Sequence, residues 1–498
     1  MNRTFRFPPL WILLFFAGGL ISCTDQNRGD QENSAIGSRP NIIYILADDL
    51  GYGDLGAYGG QQIETPNLDR LSDEGIRFTQ HYSGSTVCAP ARSVLMTGLH
   101  TGHTPIRGNR EILPIGQHPL PEGTLTLARV LKDAGYATGA FGKWGLGGPE
   151  SEGLPSLQGF DHFFGFLDQR RAHFYYPEFL FRDLKGRELE RVSLDGNITD
   201  DDPERSPGSG RPIEAVQYAP EVMQREALAF IEEHREVPFF LYLPMQLPHA
   251  SLEVPDEFLQ IYLDENGESI FDEEPTPQGH YVNSSMPKAA YAAMVTFLDH
   301  QVGDLLGKLD ELNIADHTLV LFTSDNGSYA EGGYHYSMLN SNALFRGGKR
   351  DLYEGGIRVP LIARWPSVVA GGQMSPHISG FQDMMPTFAE LAGTEVPADT
   401  DGISLLPTLT GDGEQQEHDY LYWEFHEQGG KQAVRKGDWK AVRLNVRENP
   451  DSPLELYHLA EDPGETTNVA EEHPEIVREM ERLIREAHLP SEVFPLGI

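Results

Sequence analysis

Short apolar runs alternate with longer amphipathic stretches along most of the chain. Asn41 to Ala47 (NIIYILA) is nearly continuous in apolar residues, as expected for a strand buried on both faces of a parallel sheet. TLTLARVLKDAGY places Leu125, Leu127, Ala128 and Leu131 on one stripe and predicts a helix that stops at Gly135. ATGAFGKW then predicts a strand delivering Lys143, and VPFFLYLPMQLPHAS an apolar strand ending at His249. PKAAYAAMVTFLDHQVGDLLGKLDELN predicts a long amphipathic helix with Pro287 near its first turn. HTLVLFTSDNGSY predicts a strand from Thr318 to Thr323. Strands alternating with helices predict an α/β fold, a mostly parallel sheet covered on both faces.

Two stretches break this rhythm. Residues 175–215 and 250–286 are rich in Pro, Gly and acidic residues and read as surface insertions able to rim a pocket. From about Gly411 the pattern changes to YLYWEF, AVRKGDWKAVRL and LELYHL, which alternate like antiparallel strands, before a last helix, HPEIVREMERLIREAH. The expected division is a catalytic domain over 40–410 and a sheet-plus-helix subdomain over 411–498.

The N-terminus bears on location. Arg3 and Arg6 precede the apolar run PLWILLFFAGGLIS, too short and glycine-broken for a membrane span, so residues 1–22 read as a secretory signal. Leu20-Ile21-Ser22-Cys23 is similar to a bacterial lipobox, which implies a lipid anchor on Cys23. Residues 23–39 are polar, without periodicity, and read as a flexible tether. The expected protein is an exported bacterial lipoprotein, facing the periplasm or the outer membrane. Composition adds an exclusion: the formal net charge of −37 argues against nucleic acid or an anionic membrane surface as partner.

Chemistry concentrates at strand ends. Asp48 and Asp49 follow the first strand, and Asp325 and Asn326 follow the strand at 318–323. Ligands of open α/β sheets bind beyond the carboxyl ends of strands, and this all-oxygen set suits Ca²⁺ or Mg²⁺ more than zinc. The cations Arg92, Lys143, His249 and Lys349 lie near strand ends or in glycine-rich turns, and with a metal they would cage a tetrahedral oxyanion. Cys88 is the only cysteine besides Cys23, an odd thiol in an exported chain.

Cys88-Ala89-Pro90-Ala91-Arg92, followed by Leu95-Met96-Thr97-Gly98, matches the C-x-P-x-R signature of type I sulfatases. RPNIIYILADDLGYGDLGAYG, TSDNG, GGKRDLYEGGIRVPLIARWP and the tail RKGDWKAVRL…ELYHLAEDPGETTNV resemble that arylsulfatase-like family in order. The resemblance runs from about residue 39 to 488 and implies an alkaline-phosphatase-like fold. It implies that a formylglycine-generating or sulfatase-maturating enzyme oxidises Cys88 to formylglycine, whose hydrate attacks the sulfur of a sulfate monoester. Arg92 would then steady the nucleophile's oxygen, and Asp48, Asp49, Asp325 and Asn326 would hold Ca²⁺ together with residue 88. Lys143, His249 and Lys349 would bind sulfate, His249 or Lys349 protonating the leaving oxygen.

One position departs from the pattern. Many sulfatases read GKWHLG, with a histidine thought to serve the hydrated aldehyde, whereas this chain has Gly145 there. His173, in GFLDQRRAHFYYP, is the expected replacement; the opposing reading packs it among Phe174, Tyr175 and Tyr176 or against the sugar. His81, His100 and His103 are weaker candidates. The expected substrate is a sulfated carbohydrate. The alternatives are a phosphonate or phosphate ester hydrolase of the same superfamily and a catalytically dead lipoprotein that binds sulfated glycans.

Overall fold

The computed structural model describes Met1, residues 39–275 and residues 279–497; the signal segment, most of the tether and Cys23 lie outside the described residues. No helix among the described residues is long and apolar enough to cross a membrane.

A ten-stranded sheet organises the chain. Its centre is five parallel strands in the order Thr318–Ser324, Asn41–Ala47, Phe239–Pro244, Ala137–Lys143 and His162–Phe166. The first strand is buried at every position, so its two side-chain rows serve two cores. Ile43 and Ile45 join the helices Ala219–His234 and Pro287–Glu311 on one face. Ile42, Tyr44 and Leu46 join Cys88–Thr97, Leu127–Asp133 and Met384–Leu391 on the other. Beyond the parallel centre the sheet turns mixed, with Arg358–Arg364 antiparallel to both its neighbours.

Three expectations need correction. The stretch 175–215 is not wholly a surface insertion: Phe179–Leu184 and Glu190–Ser193 extend the sheet as antiparallel edge strands. Leu180 and Phe181 are buried, and the Arg171 guanidinium lies 4.0 Å from the Phe179 ring centre, so apolar and cation–π packing outweighs a loop-like composition. The strand before His249 ends at Pro244, and an irregular segment carries the chain onward to His249. The helix near 130 begins at Leu127, leaving Leu125 exposed before its Thr126 cap.

The C-terminal part forms a four-stranded antiparallel sheet, Leu421–Phe425, Lys431–Lys436, Trp439–Leu444 and Glu455–His458. One face packs on the helix Pro474–Ala487. The other packs Leu421, Trp423 and Phe425 against Tyr82, Val87 and Leu352, and Trp423 Nε1 donates to the Ser83 carbonyl at 2.9 Å. The small sheet thus braces the segment that enters the Cys88 helix.

Candidate active site

Cys88 is the first residue of the helix Cys88–Thr97, which ends at Gly98 with φ of +69°. Pro90 is tolerated in the first turn, where a backbone N–H has no helical partner in any case. A helix N-terminus favours negative charge on the residue it carries. Burial nevertheless pushes the Cys88 thiol far above its ordinary pKa, helped by the carboxylates of Asp325 and Asp48.

The strand ends meet at this residue. Cys88 Sγ donates to Asp48 Oδ1 at 3.3 Å, and Lys143 Nζ lies 3.5 Å from the sulfur while also pairing with Asp48 Oδ2. Arg92, one helical turn along, is fully buried: its Nη2 donates to Asp325 Oδ2 at 2.8 Å and its Nη1 to the Lys143 carbonyl. Asp49 has φ of +66°, a left-handed conformation that Asp tolerates better than most residues. Its N–H donates to Asp325 Oδ1 at 3.1 Å, and its Oδ1 accepts from Asn326 Nδ2 at 2.7 Å.

On the opposite side, Lys349 Nζ lies 2.7 Å from Asp49 Oδ2, 2.7 Å from Glu331 Oε1 and 3.1 Å from His249 Nε2. His249 Nδ1 pairs with the Ala250 carbonyl, which assigns the ring proton to Nδ1 and leaves Nε2 as acceptor toward Lys349. Burial, reinforced by the charges of Lys349 and Lys143, lowers the His249 pKa to about 3, so the ring is neutral. Lys349 stays charged because Asp49 and Glu331 outweigh its burial.

The oxygen donors at the strand ends suit a hard cation. Asn326 Oδ1 is buried with no hydrogen-bond partner among the described residues. Burial raises the pKa of Asp49 and Asp325, and the neighbouring carboxylates add to the rise in both. For Asp48 the burial effect is outweighed by Lys143, His249, Arg92 and Lys349, which hold it below the usual range. An orphaned amide oxygen amid crowded carboxylates fits a calcium-type ion. One ligand atom each from Asp48, Asp49, Cys88 and His249 lies within 4.8 Å of the others.

The fold therefore brings together Cys88, Arg92, Lys143, His249, Lys349, Asp48, Asp49, Asp325 and Asn326. His173 lies beside them, its ring stacked on His249 with centroids 4.6 Å apart and planes 9° apart. The space a side chain at Gly145 would enter is filled by Gln169 instead. His81 pairs with Ser379, and His100 stacks on His103, which pairs with Asp401. The sequence did not reveal Glu331 or Arg350, 3.1 Å apart beside Lys349. Glu331 ends the two-residue strand Ala330–Glu331, paired with Tyr334–His335 across Gly332-Gly333, where an acidic residue carries no signal of its own.

A cavity of about 330 Å³ opens at Glu331, lined also by His280, Tyr281, Gly332, Gly333 and His335. Tyr281 reaches His173 and His249, with ring centroids 5.2 and 5.9 Å away. Within the segment expected to rim a pocket, His280 and Tyr281 do line the site.

The family model described as Sulfatase matches residues 40–394, and one described as N-sulphoglucosamine sulphohydrolase, C-terminal, matches residues 345–489. The chain is 30% identical to the N-acetylgalactosamine-6-O-sulfatase of Bacteroides thetaiotaomicron, covering 95% of this chain and 98% of that protein. It is 32% identical to arylsulfatase A of Bos taurus, covering 92% and 89%. Among solved structures, Ps i-CgsB in complex with k-i-k-neocarrahexaose superposes with a TM-score of 0.71 at 28% identity, covering 90% of this chain and 92% of that one. Together with the site's geometry, these matches place the chain in the sulfatase family of sulfuric ester hydrolases.

Proposed function

We propose that the protein hydrolyses sulfate monoesters of a sulfated carbohydrate, using Cys88 as the precursor of a formylglycine and a calcium ion held by Asp48, Asp49, Asp325 and Asn326. The observation that carries this reading is Cys88 itself: buried at a helix N-terminus, one turn before Arg92, and bonded to Asp48 and Lys143. The modified residue supplies an oxygen nucleophile that can also release sulfate, and the metal ion lowers the cost of charge on that oxygen.

The chain's own residues divide the remaining work. Lys143 and Lys349 flank the site of the transferred group and offset charge on its oxygens. Arg92 orients the Lys143 carbonyl and Asp325 from within the helix. Lys349 Nζ holds a proton beside a neutral His249 Nε2, so this pair donates to the leaving oxygen, with the lysine as the charged member. His173 backs His249 by stacking and keeps its ring in place.

The sugar is assigned to the cavity at Glu331, where Tyr281 and His280 offer ring faces and Glu331 an acceptor for hydroxyls. The matches support the same reading: one relative is named an N-acetylgalactosamine-6-O-sulfatase, and one solved neighbour is described in complex with k-i-k-neocarrahexaose. Export by the signal at residues 1–22, anchoring through Cys23, and domain limits at 40–410 and 411–498 belong to this proposal.

Mass spectrometry of the Cys88 peptide from active protein made in its native host tests the mechanism. Formylglycine is the expected finding, and unmodified thiol alone in active protein overturns it. Release of sulfate from a panel of sulfated oligosaccharides, beside phosphate and phosphonate esters, tests the substrate class.

A further inference from the structure

Residues 142–145 and 165–167 run side by side. Gly142 faces Gly165, Lys143 faces Phe166, and the Gly145 N–H donates to the Leu167 carbonyl at 3.1 Å. Lys143 ends its strand at Cys88, so this edge forms one wall of the site. Two residues past Leu167, Gln169 folds its side chain back over Gly145: a Cβ built on Gly145 would lie 2.2 Å from Gln169 Nε2. The Gly145 backbone, with φ of +75°, also disfavours any side chain there. Gln169 and a side chain at 145 thus exclude each other.

The carboxamide itself is unspent. Gln169 is 5% exposed, and neither its Oε1 nor its Nε2 has a hydrogen-bond partner among the described residues. Its backbone N–H is fixed by Gln117 Oε1 at 3.4 Å, so the side chain projects from an anchored position. Buried amides are almost always bonded, and one with both ends open, packed over Gly145 just past the strand end that carries Lys143 to Cys88, points to a ligand that completes it. His173 approaches from elsewhere, stacked on His249.

We propose that Gln169 takes the place Gly145 leaves open, its Nε2–H donating to the oxygen that residue 88 presents to sulfur. This rests on the sulfatase reading of Cys88 and names the residue that serves the nucleophile in this chain.

The test uses the full-length Cys88→Ser chain, which needs no maturating enzyme, with an aryl sulfate. The serine oxygen attacks sulfur; its new S–O bond forms as the aryl O–S bond breaks, and its proton ends on the phenol. The protein gains the mass of one SO₃ and keeps it. Adding Gln169→Leu, or the isosteric Gln169→Glu, should slow this gain at saturating aryl sulfate by about tenfold or more, while leaving half-saturation little changed. Unchanged trapping in a Gln169 variant that melts like its parent overturns the assignment of Gln169 and leaves the sulfatase reading intact; if Gln169→Leu does not fold, Gln169→Glu decides. A Cys88→Ser chain that gains no SO₃ overturns both.

Discussion

Lys349→Met is the most revealing single change in the site. Its ammonium lies 2.7 Å from both Asp49 Oδ2 and Glu331 Oε1, and the side chain is 3% exposed. Methionine keeps most of the stem's volume, so the perturbation is electrostatic. Removing one member of a buried ion pair costs about 3–5 kcal/mol, because the partner charge is left without compensation. Two carboxylates lose a partner here, but Arg350 at 3.1 Å retains part of the hold on Glu331. The expected loss of unfolding free energy in chelator is therefore about 3–5 kcal/mol, and calcium should recover the part that belongs to Asp49. Removing a cation aimed at the transferred group should also lower kcat by about a hundredfold to a thousandfold.

The pH dependence fixes the sign. Burial would raise Glu331, but the charges of Lys349 and Arg350 outweigh it and hold its carboxyl below the usual range. Its contribution is present above an unfolded-state pKa of about 4.3 and is lost as pH falls through the lower folded value. In Lys349→Met the carboxylates lose their cation and their folded pKa values rise. Stability should then fall as pH rises above about 4, the reverse of the parent's acid limb. Denaturant titrations at several pH values, with and without calcium, read both effects. A variant that unfolds like its parent in chelator and keeps its kcat would refute this account of Lys349.

Glu253 is buried and pushed up to about 8 by that burial, so the folded chain holds a proton there that the unfolded chain releases above about pH 4.5. Stability should fall through that window, and Glu253→Gln should be more stable than the parent at pH 8 by a few kcal/mol and equal to it near pH 4.5; identical melting profiles would contradict this. Lys440 is fully buried 2.9 Å from both Glu354 and Glu465, joining the small sheet to the catalytic core. Lys440→Met should cost about 3–5 kcal/mol in equilibrium unfolding, and an unchanged midpoint would show the carboxylates are compensated elsewhere. His173→Ala removes the ring stacked on His249 and should lower turnover of a sulfated oligosaccharide at constant fold; a retained rate means the stacking is only packing.

The strand-end carboxylates were legible because a buried parallel strand must end at one edge, and the two runs that end in acidic and amide residues prove to be neighbours in register, Ala47 opposite Ser324. Cys88 and Arg92 were legible from a motif whose spacing is one helical turn. His249 was found, but not its support: it sits five residues beyond its strand, fixed by Tyr175, whose hydroxyl donates to the His249 carbonyl at 2.6 Å. Glu331 and Gln169 were not legible, because one sits on a two-residue hairpin strand and the other on a turn, each placed by distant packing. Gly145 shows the limit most clearly. The sequence shows that a side chain is missing there, but only the fold shows that Gln169, 24 positions further on, fills its place.

The charge of the whole chain and the charge of the site pull in opposite directions, which gives the salt dependence a definite sign. The net charge of −37 repels a sulfated glycan at long range, while Lys143, Arg92 and Lys349 lie buried and pair with local carboxylates. Screening shortens the long-range term from about 30 Å at 0.01 M salt to about 10 Å at 0.1 M, and leaves the buried contacts nearly untouched. An enzyme steered by an attractive surface loses kcat/KM as salt rises over that range. This one should gain, by a factor that grows with the number of sulfates on the oligosaccharide and vanishes for a monosulfated aryl ester at high salt. Initial rates at low substrate, with calcium held constant, measure it. A kcat/KM that falls with salt for a polysulfated substrate would mean that a cationic surface track, outside the buried cage, does the recruiting.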